Sequence, residues 1–143
     1  MYFGPESWLV VKIILAAVLG GIIGWEREQH LGEPGVRTFA LVSIGSAAFV
    51  LIGLTGLGVF APGQSYDIGR IVGQIIVGIG FICAGVIWRE RKGTPYGLTT
   101  AAGLWVTAAI GVSVALELWV LAVTIVIIEF MLLKSKPIWK RIR

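Results

Sequence analysis

The sequence predicts an all-α integral membrane protein that crosses the bilayer five times, and three observations carry that prediction. The chain is 57% hydrophobic and only 14% charged, where a soluble domain carries about 25% charged residues, so a bilayer is its natural solvent. Its apolar residues fall into runs close to the roughly 20 helical residues that one crossing requires. Its twenty glycines against five prolines suit membrane helices, which bring small residues to their contacts.

The first run, Ser7 to Trp25, starts after Glu6, lacks a basic leader and is long enough to span, which distinguishes it from a secretory signal. Val36 to Phe60 and Ile68 to Trp88 follow. The stretch from Leu98 to Leu133 is too long for one crossing and has Glu117 at its middle, so it divides into Leu98 to Leu116 and Leu118 to Leu133.

Short cytoplasmic loops carry more Lys and Arg than external ones. Five crossings put Arg27 and Arg37, then Arg89, Arg91 and Lys92, then Lys134, Lys136, Lys140, Arg141 and Arg143 on one face, ten of the twelve basic residues. Arg70 is alone on the other face and Lys12 lies within the first helix. The N-terminus is therefore expected outside and the C-terminus in the cytoplasm, where the basic tail anchors on anionic lipid at about 1 kcal/mol per residue; nucleic-acid binding is not expected. Trp8, Tyr66 and Trp119 mark external ends, and Trp25, Trp88, Tyr96 and Trp139 cytoplasmic ones. Trp105, in mid-helix, is expected to pack.

The chain also repeats itself. Trp25-Glu26-Arg27-Glu28 and Trp88-Arg89-Glu90-Arg91 close helices one and three, and Gly-x-x-Thr-x-Ala starts follow at Gly35 and Gly97. Helices one and two are expected to be a parallel tandem repeat of helices three and four.

Polar groups at membrane depth are expensive and therefore candidates for function. On helix three, Asp67, Arg70, Gln74, Gly78, Phe81 and Gly85 recur every three or four residues and share a face. Thr100, Gly103, Thr107 and Gly111 form a matching stripe on helix four. Packing accounts for both stripes; a polar path between helices three and four is the sharper reading. Asp67 is placed to cap helix three and to pair with Arg70. Glu26, Arg27 and Arg37 form a charged cluster at the cytoplasmic ends, suited to an anionic headgroup or a partner protein. Lys12 and Glu129 are near enough to helix ends to reach the interface.

Gly20 and Gly24, with Ala16, form a ladder that lets two backbones meet, which points to a homodimer or to packing within one chain; Gly78, Gly80, Gly85, Gly103 and Gly111 are further close-approach positions. Cys83, without a partner, reads as a small buried hydrophobe. His30 has no second ligand at metal-binding spacing, so neither a metal nor a cofactor is expected. Gly-x-Ser-x-Gly, Walker, His-Glu-x-x-His and paired intramembrane aspartate signatures are missing, so catalysis is not expected.

Taken in order, Gly20-x-x-x-Gly24-Trp25-Glu26-Arg27, Gly35-Val36-Arg37-Thr38, Asp67-x-x-Arg70-x-x-x-Gln74, the glycine-rich run from Gly78 through Gly85 to Ile87, and the run from Gly97 to Gly111 resemble the membrane domain of the MgtC/SapB family. The resemblance spans most of residues 16 to 111. It implies a multi-pass protein of the bacterial inner membrane, linked in pathogens to virulence, survival inside macrophages and growth when magnesium is scarce. It implies a regulator that restrains the F-type ATP synthase and membrane potential, not a magnesium transporter. Longer members carry a soluble C-terminal ACT-type domain, whereas this chain ends ten residues past its fifth segment; the expected organisation is a transmembrane domain over 1–134 and a basic tail over 135–143. Two function classes follow: a non-enzymatic regulator working through a membrane-protein partner, and a small-solute or ion transporter with a path between helices three and four.

The topology has a direct check. A reporter active only in the periplasm is expected to be silent when fused after Arg143 and active in the loop from Pro62 to Tyr66; the opposite pattern overturns the five-crossing arrangement.

Overall fold

A computed structural model describes residues 5–29, 33–55, 67–87 and 96–135. They form five helices, α1 (Pro5–Glu28), α2 (Val36–Thr55), α3 (Ile68–Ile87), α4 (Leu98–Ala115) and α5 (Trp119–Lys134), each within a few residues of the apolar run that predicts it. The first four are long and apolar enough to cross a membrane. With 16 residues, α5 is shorter than a perpendicular span, and it runs back along α4 after a tight turn. His30, the Trp88-Arg89-Glu90-Arg91 motif of the expected repeat, the loop residue Lys92, the external-end marker Tyr66 and the tail beyond Ser135 lie outside the described residues.

Helix α4 is the centre of the bundle: it packs against α1, α2, α3 and α5. Its sequence explains why. Small residues recur along it, and Ala101, Gly103, Ala108, Gly111 and Ala115 are buried together with Leu104 and Ile110, so neighbours close on it from several directions. Helix α2 is wedged between α1 and α4. Its Phe39, Ser43, Ala47 and Val50 are buried on this double contact. Helix α3 lies outermost and is the least buried; Ile75, Ile79 and Cys83 turn toward the core while Phe81 is exposed. Trp105 does not pack inward as expected but is half exposed on α4.

Lipid chains are as apolar as leucine, so membrane helices gain little from burying apolar surface and associate through close van der Waals fit. The glycines of α1 supply that fit. A Cβ on Gly20 would stand 2.7 Å from Ser43 Cβ and 2.8 Å from the Phe39 carbonyl oxygen, and one on Gly24 would stand 2.6 Å from Val36 Cα. On α4, a Cβ on Gly111 would collide with the Ser43 carbonyl, and one on Gly103 would meet Glu129 Oε1 at 3.2 Å and the Phe39 ring at 3.4 Å. The ladder Ala16, Gly20, Gly24 is thus used inside the chain, against α2, and is not free to join two copies. Gly78, Gly80 and Gly85 differ from expectation: a Cβ there meets nothing within 4 Å among the described residues.

Gly97 has a different task. It precedes α4 with φ 87°, a left-handed conformation that favours glycine, and a Cβ would press within 2.8 Å of the Val86 carbonyl oxygen. It reverses the chain tightly against the end of α3.

These contacts predict a contrast. Gly20→Leu is expected to destabilise the purified protein by about 1–3 kcal/mol, the usual effect of overpacking, without changing its mass in detergent. Gly78→Leu, in open space, is expected to stay within about 0.5 kcal/mol of the parent. Thermal unfolding and light scattering read both.

Candidate functional site: a groove beside α3 and polar clasps at both ends of α1

Polar side chains collect in three places. The first is a groove of about 1190 Å³ between α2 and α3, open on one side. Asp67, Arg70 and Gln74 line it toward the start of α3, Ser46 and Thr38 line it from α2, and Gly45, Gly78, Phe49, Ile52, Ile79 and Ile82 are among its apolar lining. Asp67 sits just ahead of α3 and its Oδ1 accepts a hydrogen bond from the Arg70 backbone N–H at 3.0 Å, so it caps the helix as expected. The expected Asp67–Arg70 ion pair does not form; among the described residues the ion pairs are Lys12–Glu117 and Arg27–Glu26.

The stripe on α3 therefore faces α2, not α4. Helix α3 packs on α4 through another side, where buried Cys83 donates from Sγ to the Ala101 carbonyl at 3.1 Å, and Ile75 and Ile79 are buried between that side and the groove. The threonines of α4 point elsewhere: Thr107 is fully buried and donates to Glu129 Oε1 on α5 at 3.3 Å, and Thr100 is buried too. Asp67, Arg70 and Gln74 come together with each other; Thr100 and Thr107 are not part of their groove. The expected path between α3 and α4 is occupied by this packing.

The second place is the end of the bundle that holds Glu26 and Arg27. Arg27 Nε donates to Glu26 Oε2 at 2.7 Å and its terminal nitrogen to the Leu133 carbonyl on α5 at 3.2 Å. Both residues are buried. The guanidinium caps an orphan carbonyl of the last turn of α5, so this pair is a tie between α1 and α5, while Arg37 is exposed and stands apart from it. Of the expected charged cluster, Arg37 alone faces outward.

The third place sits at the opposite end. Lys12 Nζ meets Glu117 Oε1 at 2.7 Å and the Ala115 carbonyl at 3.3 Å, and Trp8 Nε1 donates to the same carboxylate at 3.3 Å. Trp8 and Trp119 stack edge to face, centroids 6.1 Å apart, an arrangement that suits aromatic quadrupoles. Glu117 occupies the turn with φ 62°, which aims its carboxylate back at α1. Lys12 reaches toward its helix end as expected but finds a partner there. Glu129 does the reverse and lies buried between helices, because helical side chains lean toward the N-terminus and that direction is inward from its position. A positive charge and a negative charge spaced 105 residues apart gave the sequence no means of showing that Lys12 and Glu117 meet.

The Lys12 ammonium, with the Trp8 indole, holds the Glu117 carboxyl below its ordinary value of 4.5. A carboxyl depressed in the folded state contributes stability that is present above its unfolded value and is lost as pH falls through the folded one. Thermal stability is therefore expected to drop on acidification below about pH 4.5 by more in the parent than in Glu117→Gln. Because Glu117 is solvent-exposed, salt should reduce the difference.

Comparison with known proteins places this arrangement. Protein SrpB of Synechococcus elongatus is 36% identical over 127 residues, 82% of this chain and 70% of its own length. YhiD of Escherichia coli K12, provisionally described as a magnesium transporter, is 40% identical over 80% of this chain and 54% of its own. Protein MgtC of Salmonella typhimurium is 42% identical over 83% of this chain and 49% of its own, so the chain spans about half the length of these last two relatives. No solved structure matches it. The family model for MgtC matches residues 13–142, nearly all of the sequence and every element of the fold, and the chain belongs to the MgtC family.

Proposed function

We propose that this multi-pass membrane protein is a non-enzymatic regulator of the bacterial inner membrane, serving growth at low magnesium, control of membrane potential and virulence, and that it works by seating a transmembrane helix of a partner protein in the α2–α3 groove. The groove carries the reading. Apart from Ser46 and Thr38 its walls are apolar beyond Gln74, Gly45 on α2 and Gly78 on α3 leave open space where a Cβ would be, and small residues of this kind let a second helix approach closely. Asp67 and Arg70 at the mouth offer a charge pair to fix the orientation of that helix. A conduction path, by contrast, must offer polar groups along its length, and between Gln74 and Thr38 the lining of this groove offers Ser46 alone.

Transport is the second reading, favoured by the description of the Escherichia coli relative and by the polar stripe of Asp67, Arg70 and Gln74. A homodimer, if α3 is its seam, would fill the same groove with a second copy. The basic tail and the exposed Arg37 suit the cytoplasmic leaflet and leave the outer mouth to Asp67 and Arg70.

Purified protein in liposomes is expected to move no magnesium above protein-free vesicles; flux that Asp67→Asn and Arg70→Ala abolish would establish the transporter instead. In cells, Gly78→Phe is expected to fold with stability within about 0.5 kcal/mol of the parent and yet lose its contribution to growth at low magnesium, because the ring fills the groove. Retained growth with Gly78→Phe would remove the groove from the mechanism.

A further inference from the structure

Glu129 is a buried acid that none of the contacts described so far requires. It is 5% exposed, on α5, five residues before Lys134. Its Oε1 accepts the Thr107 hydroxyl at 3.3 Å, and its Oε2 is buried with no hydrogen-bond partner among the described residues. Gly103 of α4 leaves room for the carboxyl, since a Cβ there would stand 3.2 Å from Oε1, and the same Cβ would stand 3.4 Å from the Phe39 ring of α2. An orphaned oxygen of this kind in an apolar bundle calls for a ligand.

Among the described residues, the surrounding charges do not supply one. Helix α4 carries no charged residue between Leu98 and Ala115. On α1, Arg27 is held by Glu26 and by the Leu133 carbonyl, a turn further along α5, and Lys12 is held by Glu117 at the opposite end. On α2, Arg37 is exposed; on α5 itself, Lys134 lies over the Phe130 ring at 5.7 Å. A metal ion is a poor fit, because one carboxyl and one hydroxyl fall far short of the six or more oxygens that calcium takes or the octahedron that magnesium requires, and among the described residues no cluster of three or more metal-ligating side chains exists. A proton needs a single oxygen. On Oε2 it neutralises the group while Oε1 keeps the hydroxyl of Thr107.

We propose that Glu129 is a reversible proton-binding site at the junction of α2, α4 and α5, and that release of its proton loosens the seating of α5 on α4. The route for exchange is short. Five residues of helix separate Glu129 from Lys134, about 8 Å at 1.5 Å per residue, so opening of the last turn of α5 admits water. The same opening would strain the Arg27 tie to Leu133, which couples the proton to the α1–α5 contact. Thr107 acts as a positioning residue, since its hydroxyl fixes which oxygen is free to take the proton.

Infrared difference spectroscopy on the full chain in lipid nanodiscs tests the proposal. A neutral-carboxyl C=O band is expected near pH 7, absent in Glu129→Gln and lost in the parent as the buffer is made alkaline. Dicyclohexylcarbodiimide, which reacts with protonated acids within the membrane, is expected to label Glu129 with a yield falling about tenfold between about pH 6 and about pH 9. Thr107→Val is expected to move the pH at which the band disappears while leaving the band itself. If Glu129→Gln fails to fold, labelling of the parent and of Thr107→Val still decides the matter. A carboxylate band alone near pH 7 overturns the proposal, as does a neutral band unchanged from about pH 5 to about pH 10, which would make Glu129 a fixed packing group. Loss of the band on adding sodium or magnesium at constant pH would overturn it in favour of a cation site.

Discussion

The fold depends on how closely α2 approaches the backbones of α1 and α4. With lipid on all sides, burial of apolar surface does not drive helices together as it does in water, so the energy must come from atoms in contact. Gly20 and Gly24 on one side and Gly111 on the other remove the side chains that would hold α2 away. Phe39 and Ser43 then enter the core, and Ile23, Leu104 and Ile110 close round them. Once α2 is seated, the remaining helices have defined places: α5 fills the angle between α1 and α4, and α3 is left on the outside of α4.

That seating also decides where charges meet. Lys12 and Arg27 lie 15 residues apart on α1, and each reaches the α4–α5 hairpin near one of its ends: Lys12 at the turn with Glu117, Arg27 at the last carbonyls of α5. A bare charge within a bilayer is costly, and an ion pair that also satisfies a helix-end carbonyl answers two needs at once. The two ties hold α1 against α5 along their length. Glu129 sits between them without a charge partner among the described residues, a buried acid on the tightly packed side of the molecule.

The other side of the molecule has a different character. Helix α3 turns three residues, Ile75, Ile79 and Cys83, to the core and leaves Arg70, Gln74 and Gly78 on a groove. Close packing on one side contrasts with an open groove on the other, the surface to which the proposed function assigns binding. This division supports reading Asp67, Arg70 and Gln74 as the functional group and Glu26 and Arg27 as structural, since the latter are already saturated by contacts within the chain.

Much of this was legible in the sequence, and for a definite reason. Apolar run length, glycine content and the distribution of Lys and Arg are properties of single segments in a bilayer, so the five helices, the cap at Asp67 and the buried role of Cys83 could be read residue by residue, and the linked motifs from Gly20 to Gly111 identified the family. Which neighbour each face meets is a property of all five helices together. Periodicity shows that Asp67, Arg70 and Gln74 share a face, but a rotation of one residue, about 100°, separates a face turned to α4 from one turned to α2. Only the packed bundle decided that the ladder on α1 serves α2 within the chain, that Lys12 and Glu117 pair across 105 residues, that Glu26 and Arg27 are enclosed, and that Glu129 leans inward to Thr107, because each outcome depends on which backbones the glycines allow to touch.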